Sequence, residues 1–230
     1  MWRWSATWLS VVSHPDIEQW ARLERKYQAR DYAGEPDRSS GYLVNRGSEI
    51  LLVAPHSVNS IRHGVERPAD AGTGGLAELL GAKTDVSVLT FARTAPSWET
   101  WNTREDDFTR ILRDQLGGVR LVVVLQGMAD RHGVDICVGL GPDPSELTDH
   151  ASKVLLRAFN GYEASENFPF TGEPEYTVTS FTQKTGPATA VQVDVAAVHR
   201  DFAASAKSGV RAVARFTSAL TSLQHHLGSD

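Results

Sequence analysis

An α/β fold, with a mostly parallel sheet sandwiched between helical layers, is predicted by three observations. The runs Ile50-Leu51-Leu52-Val53-Ala54 and Leu121-Val122-Val123-Val124-Leu125 are unbroken apolar stretches, as expected of strands covered on both faces. Segments with helical periodicity alternate with strand-like ones along most of the chain, the clearest over residues 103–116. Such alternation implies βαβ crossovers, which place helices on both faces of one sheet.

Taken in order, Ile17, Trp20, Ala21 and Leu23 fall at roughly helical spacing among many charges, predicting an amphipathic helix from residue 15 to about 29. Residues 31–40 read as a turn-rich connector, so that 1–40 form an N-terminal helical appendage. Strands follow over 42–45 and 49–54, and Arg46-Gly47-Ser48 between them looks like a hairpin turn. The second strand ends at Pro55-His56. A Gly-rich turn, with Asp70 and Thr73 as capping residues, leads into a short helix over 76–80, and 86–91 reads as the next strand.

Over 103–116, Glu105, Asp106 and Asp107 fill the first turn, Phe108, Ile111, Leu112 and Leu116 form the apolar stripe, and Gly117-Gly118 lie past the end. Strands over 121–125, stopped by Gln126-Gly127, and over 134–138 come next. Helices over 145–160 and 204–225 flank a strand over 190–195. Between Gly161 and Gly186 a long stretch rich in Pro, Gly, Glu and aromatic residues has the length of a functional loop. It is read as a lid over the active site. With no repeat or linker to divide it, the chain is read as a single domain over 1–230.

Composition excludes several classes of function. The 230 residues, against about 150 for a typical domain, are 41% hydrophobic and 22% charged, which is the balance of a globular chain rather than a disordered one. A net charge of −5 without a Lys/Arg run speaks against a nucleic-acid partner. The single cysteine, Cys137, excludes a disulfide framework and fits a reducing compartment. The tryptophan-rich first 12 residues lack the apolar core of a signal peptide, and no stretch approaches the roughly 18 apolar residues of a membrane span. A soluble, cytoplasmic protein without a membrane partner is expected.

The P-loop, the Gly-x-Gly-x-x-Gly fingerprint, the Gly-x-Ser-x-Gly elbow and the His-Glu-x-x-His zinc helix are all absent from the sequence. What remains is a set of polar residues at predicted strand ends, where open α/β sheets bind ligands. His56 lies just past the first apolar strand, Gln126 follows the second, Asp70 precedes a helix, and Asp194 is embedded in Val191-Gln192-Val193-Asp194-Val195. A carboxylate in an apolar strand is costly unless it is paired. Taken singly, each has a plainer reading: a hydrogen-bonded histidine, a satisfied amide, a helix cap, and the partner of an arginine.

Together, Pro55-His56-Ser57, Ala69-Asp70-Ala71-Gly72-Thr73-Gly74-Gly75-Leu76-Ala77, Leu125-Gln126-Gly127-Met128, Asp135-Ile136, Gly139-Leu140-Gly141 and Val191-Gln192-Val193-Asp194 resemble, in order and spacing, the N-formylglutamate amidohydrolase-like family. The resemblance spans roughly residues 50 to 200. It implies a three-layer α/β/α sandwich of the zinc-carboxypeptidase/phosphorylase-like class, one Zn2+, and hydrolysis of an amide or N-acyl bond in a small carboxylated substrate. In that chemistry the metal acidifies a water and polarises the carbonyl.

By the same resemblance His56 and Asp70 correspond to metal ligands and Asp194 to the late-strand carboxylate that acts as general base, where the family more often has Glu. Asn102 would orient substrate. Arg104, Arg131 and Arg200 are candidates for holding a substrate carboxylate or stabilising an oxyanion. Where the family has Asp-Leu-His-Gly, this chain has Val124-Leu125-Gln126-Gly127, so the second histidine ligand is missing and Gln126 becomes a substrate-binding candidate. A neutral amide oxygen is a poor donor for zinc. His63 with Glu66, in the His-x-x-Glu spacing, and His132 are the alternate ligands. Two other readings stay open: a catalytically degenerate relative that binds a small molecule or protein, and an enzyme using Asp194 and His56 in metal-free acid/base chemistry.

Overall fold

A computed structural model describes residues 14–35, 39–93, 95–103 and 106–229. The tryptophan-rich N-terminus lies outside them. The first helix, α1 (Pro15–Tyr32), has proline in its first turn, and the side chain of His14 accepts from the N–H of Asp16. Its backbone leaves helical geometry at Ala29, and Arg30 and Asp31 take positive φ, which agrees with the end expected near residue 29. There follow β1 (Gly41–Val44), β2 (Ile50–Ala54), the small pair β3 (Ser60–Arg62) and β4 (Val65–Arg67), α2 (Thr73–Thr84), β5 (Ser87–Phe91), β6 (Ala95–Ser97) and α3 (Asp107–Leu116). The remainder comprises β7 (Leu121–Met128), β8 (Ile136–Gly139), α4 (Glu146–Ala158), β9 (Ala164–Glu166), α5 (Val178–Thr185), β10 (Thr189–Ala196), α6 (Ala197–Arg200) and α7 (Ala206–Leu227).

Seven strands form the main sheet in the order β1-β5-β2-β7-β10-β8-β9, and β4-β3-β6 form a small second sheet. Strands β5, β2, β7 and β10 run parallel, while β1 and β8 are antiparallel to their inner neighbours. The hairpin expected at Arg46-Gly47-Ser48 does not form: β1 pairs with β5, not with β2. The physical reason is that β2 is fully buried and takes parallel partners on both sides, so β1 is left the outer edge.

Alternation along the central strands feeds two cores. Ile50, Leu52, Leu121, Val123, Leu125, Val191, Val193 and Val195 pack with Ile17, Trp20 and the inner faces of α2, α4 and α7. Leu51, Val53, Val122, Val124 and Ala190 face the other way, onto Tyr27, Trp101, α3 and α5. This is the three-layer sandwich the sequence predicts. Each Val, Leu or Ile among them, once fully buried, contributes about 1.5–3 kcal/mol of transfer free energy.

Three local expectations are revised. The helix expected over 103–116 starts at Asp107, because the side chain of Asp106 accepts from the N–H of Thr109 and caps it there. The stretch 161–186 is not structureless: it carries the edge strand β9 and the helix α5. Strand β7 runs through Gln126-Gly127 to Met128 rather than stopping before them.

Candidate active site

The C-terminal ends of β2, β7 and β10 set the site. On β10 the side chains of Gln192 and Asp194 point away from the Val191, Val193 and Val195 face, by the period-2 alternation of a strand. In register, Asp194 lies opposite Gln126 on β7 and opposite Cys137 on β8. Gln126 Nε2 donates to Gln192 Oε1 at 3.1 Å, and Gln192 Nε2 donates to Asp194 Oδ2 at 2.7 Å. A file of polar side chains therefore interrupts an otherwise apolar sheet face, and its members satisfy one another.

The segment after β2 supplies the rest. His56 is 4% exposed, and its carbonyl accepts from the N–H of Asp70 at 2.8 Å. Oδ2 of Asp70 in turn accepts from the backbone N–H of Gly127 at 2.8 Å. Asp70 is thus not the cap of α2, as the sequence suggested. The N-cap of that helix is Gly72, with φ 91° and no side-chain cap of its own; Glu24 of α1 instead accepts from the N–H groups of Gly72 at 2.8 Å and Gly75 at 2.6 Å. Trp20 Nε1 donates to the Gly72 carbonyl at 2.9 Å, so the helix read as an appendage braces the site loop.

Arg200, at the end of α6, spans the cleft. Its guanidinium donates to the carbonyls of Val195 at 3.1 Å, Ala71 at 2.6 Å and Met128 at 3.4 Å. It lies directly over Gly127, where an added Cβ would meet its Cζ at 2.4 Å. His199 holds α6 in position, with Nε2 2.8 Å from Asp135 Oδ1 and Nδ1 2.5 Å from Ser208 Oγ. Arg62 on β3 reaches back to His56, with Nη2 at 3.1 Å from Nε2.

Burial sets the electrostatics. Desolvation raises the Asp194 carboxyl to about 7, with the charge of Asp70 adding to the rise while Gln192 and Arg200 oppose it. Asp70 is also raised by burial, against the pull of Arg200, the Gly127 N–H and Arg62. His56 is lowered to about 3, first by burial and then by Arg62, so it is neutral at ordinary pH. The charge of Asp70 acts on Asp194, and both carboxyls respond to Arg200, so the three groups form one electrostatic cluster.

The structure thus brings together His56, Asp70, Asp194, Gln126 and Arg200. It ties others elsewhere. His63 is exposed and pairs with Glu99, Nδ1 to Oε1 at 3.3 Å, while Glu66 accepts from Asn59 Nδ2 at 2.6 Å; the His-x-x-Glu spacing does not make a ligand pair. His132 packs edge-on against Phe170, with ring centroids 5.3 Å apart. Arg131 is exposed on a short 3-10 turn. Asn102 Nδ2 donates to the Glu175 carbonyl at 3.1 Å, which fastens the 161–186 segment. Arg104 lies outside the described residues.

Arg62, Gln192 and Glu24 join the site without being among the candidates the sequence singles out. Gln192 was legible, since it stands two residues before Asp194 and so shares its face. Arg62 depended on the β3–β4 pair folding back, which three-residue strands do not announce.

Among the described residues no group of three or more His, Cys, Asp and Glu side chains is disposed to hold a metal ion. The donor chemistry agrees: Gln126 offers a neutral amide, a poor zinc donor, and its Nε2 is engaged with Gln192, so the residues do not fit a zinc site of the kind the resemblance implies. A cavity of about 540 Å³ lies at the opposite end of the strands, lined by Gly118, Arg120, Ser145, Gln183, Pro187 and Thr189 among others. It shares no residue with the cleft, where the buried carboxyls of Asp70 and Asp194 lie.

No family model matches the chain, and no curated protein matches it. Solved structures do. A bacteriophage poly-gamma-glutamate hydrolase aligns with TM-score 0.55 at 14% identity, over 85% of this chain and 94% of that one. The gene product Atu2144 from Agrobacterium tumefaciens aligns with TM-score 0.55 at 14% identity, over 84% and 97%. A metallo-carboxypeptidase from Burkholderia cenocepacia aligns with TM-score 0.52 at 10% identity, over 91% and 68%. At these identities the likeness establishes the fold alone, a three-layer α/β sandwich shared with these proteins.

Proposed function

We propose that the chain is a hydrolase acting on an amide or N-acyl bond of a small carboxylated substrate, at the cleft formed by the ends of β2, β7 and β10. The observation that carries this reading is the convergence there of Asp194, held near neutrality, with a second buried carboxyl and the Arg200 guanidinium. A carboxyl tuned to about 7 is matched to proton transfer at neutral pH. Asp194 takes a proton from a water that attacks the carbonyl carbon. The new C–O bond places negative charge on the carbonyl oxygen, and the remaining N–H donors of Arg200 stabilise it. Asp194 returns the proton to the departing nitrogen as the C–N bond breaks. No step passes through a metal.

The resemblance favours N-formyl and other N-acyl amino acids as substrates, and the likeness to a poly-gamma-glutamate hydrolase favours γ-glutamyl amides. The test is release of free amine from both classes by the purified chain, with and without chelator. Turnover that survives chelator and is lost in Asp194→Asn supports the reading. Absence of turnover across both classes overturns it.

One observation favours a second reading, a binding protein without turnover. Asp194 is 2% exposed and is bonded by Gln192, an arrangement that also suits a purely structural file. Saturable binding of N-acyl amino acids without amine release would select it.

A further inference from the structure

The residues that resemble metal ligands are engaged in a way that bears on whether any divalent ion can enter. A guanidinium has only N–H donors, and a neutral imidazole has one acceptor nitrogen. The contact between Arg62 Nη2 and His56 Nε2 at 3.1 Å therefore works in one sense only: Nε2 accepts, and the ring proton resides on Nδ1. That tautomer offers no second lone pair to a metal. Its neutrality agrees with the burial of the ring and the cation beside it.

Asp70 is bound up in the same way. Its Oδ2 accepts from the N–H of Gly127, and both Arg62 and Arg200 act on its charge. A divalent ion approaching His56 would meet the Arg62 guanidinium already on the ring nitrogen, and like charges at close range are costly in a low-dielectric cleft. The missing histidine at Gln126 is a separate defect, on a different strand.

We propose that Arg62 is the resident cation of this cleft: it takes the single acceptor lone pair of His56, which a metal would need, and closes the site to divalent ions independently of Gln126. A histidine restored at 126 would by this account be insufficient. The inference uses the cleft of the proposed function only as a location and does not depend on turnover. Metal-free protein without hydrolysis leaves it standing, whereas hydrolysis abolished by chelator overturns it together with the metal-free mechanism.

The experiment measures zinc in the full chain after zinc-replete expression, and by calorimetric titration with zinc alone, for wild type, R62A, Q126H and R62A/Q126H. Wild type and both single variants should carry no zinc above a chelator-treated control. The double variant should bind about one equivalent and gain at least tenfold in affinity over Q126H, the lower end of what partners of ligating histidines control. One equivalent in wild type or in Q126H overturns the proposal, as does a folded double variant that takes no zinc. Should the double variant fail to fold, 15N histidine spectra of the wild type decide. A proton on Nδ1 of His56 is expected, and its loss from that nitrogen in R62A supports the contact. A proton on Nε2 in wild type overturns it.

Discussion

The carboxylate of Asp70 accepts the backbone N–H of Gly127 at 2.8 Å, joining two points 57 residues apart in the chain. This bond draws the loop after β2 onto the end of β7 and leaves Gly127 beneath the guanidinium of Arg200. A side chain there fits only if the guanidinium moves, since a Cβ would lie 2.4 Å from Cζ and 2.5 Å from Nε of Arg200. Gly127→Ala should displace the guanidinium and cost about 1–3 kcal/mol by overpacking. Urea denaturation measures the loss, and a raised KM for carboxylated substrates measures the displaced arginine.

The pH dependence of stability should carry the mark of Asp194. Its folded value of about 7 lies above the ordinary 3.8, so between these values the native state holds a proton that the unfolded state has released. Its contribution is then fully present below pH 4 and is lost as pH rises through 7. Asp194→Asn removes that dependence while keeping an acceptor for Gln192. The variant should match wild type near pH 4 and exceed it by about 2–4 kcal/mol at pH 8. Equal stability at both pH values would refute the assignment. Turnover should be lost, because the variant has no base.

Acid should act through His56 with the opposite sign. The ring is lowered from 6.5 to about 3, so the native state binds fewer protons than the unfolded state between those values. Stability is lost as pH falls through this window. Replacing the ring by an acceptor that does not titrate, His56→Gln, should recover about 2–4 kcal/mol of stability at pH 4 relative to its difference from wild type at pH 7. Thermal denaturation of the pair across pH 4 to 8 isolates this term from that of Asp194.

Glu24 should prove to be a positioning residue. It accepts from Gly72, Gly75 and the Tyr32 hydroxyl while fully buried. Glu24→Ala leaves those donors unmatched, and each buried unsatisfied group costs about 1–3 kcal/mol. A loss of about 3 kcal/mol or more is expected. Hydrogen exchange at the Gly72 and Gly75 amides should accelerate well beyond the global change if the helix α1 braces the Asp70 loop.

The sheet and most of its helices were legible in the sequence because burial on both faces leaves unbroken apolar runs, as at Ile50–Ala54, and helix ends carry local capping chemistry. His56 and Gln126 stand out because each follows such a run, Asp194 because it interrupts one, and Asp70 because it precedes a Gly-rich helix start. The partner of β1 was not legible, because an edge strand's neighbour is decided by which inner strand still has an open side. Arg46-Gly47-Ser48 carries the local chemistry of a hairpin turn, but pairing of β2 with β5 and β7 overrides it.

What the sequence by itself determined is the three-layer α/β frame and the short roll of polar residues set against it, both consequences of periodicity and of the cost of burying charge. Tertiary structure alone decided what those residues bond to. Arg62 on His56, Gln192 between Gln126 and Asp194, and Glu24 beneath Gly72 and Gly75 are contacts between segments whose approach is fixed by packing. Hydrogen-bond direction and lone-pair occupancy depend on distances of a few tenths of an ångström, which no residue spacing encodes.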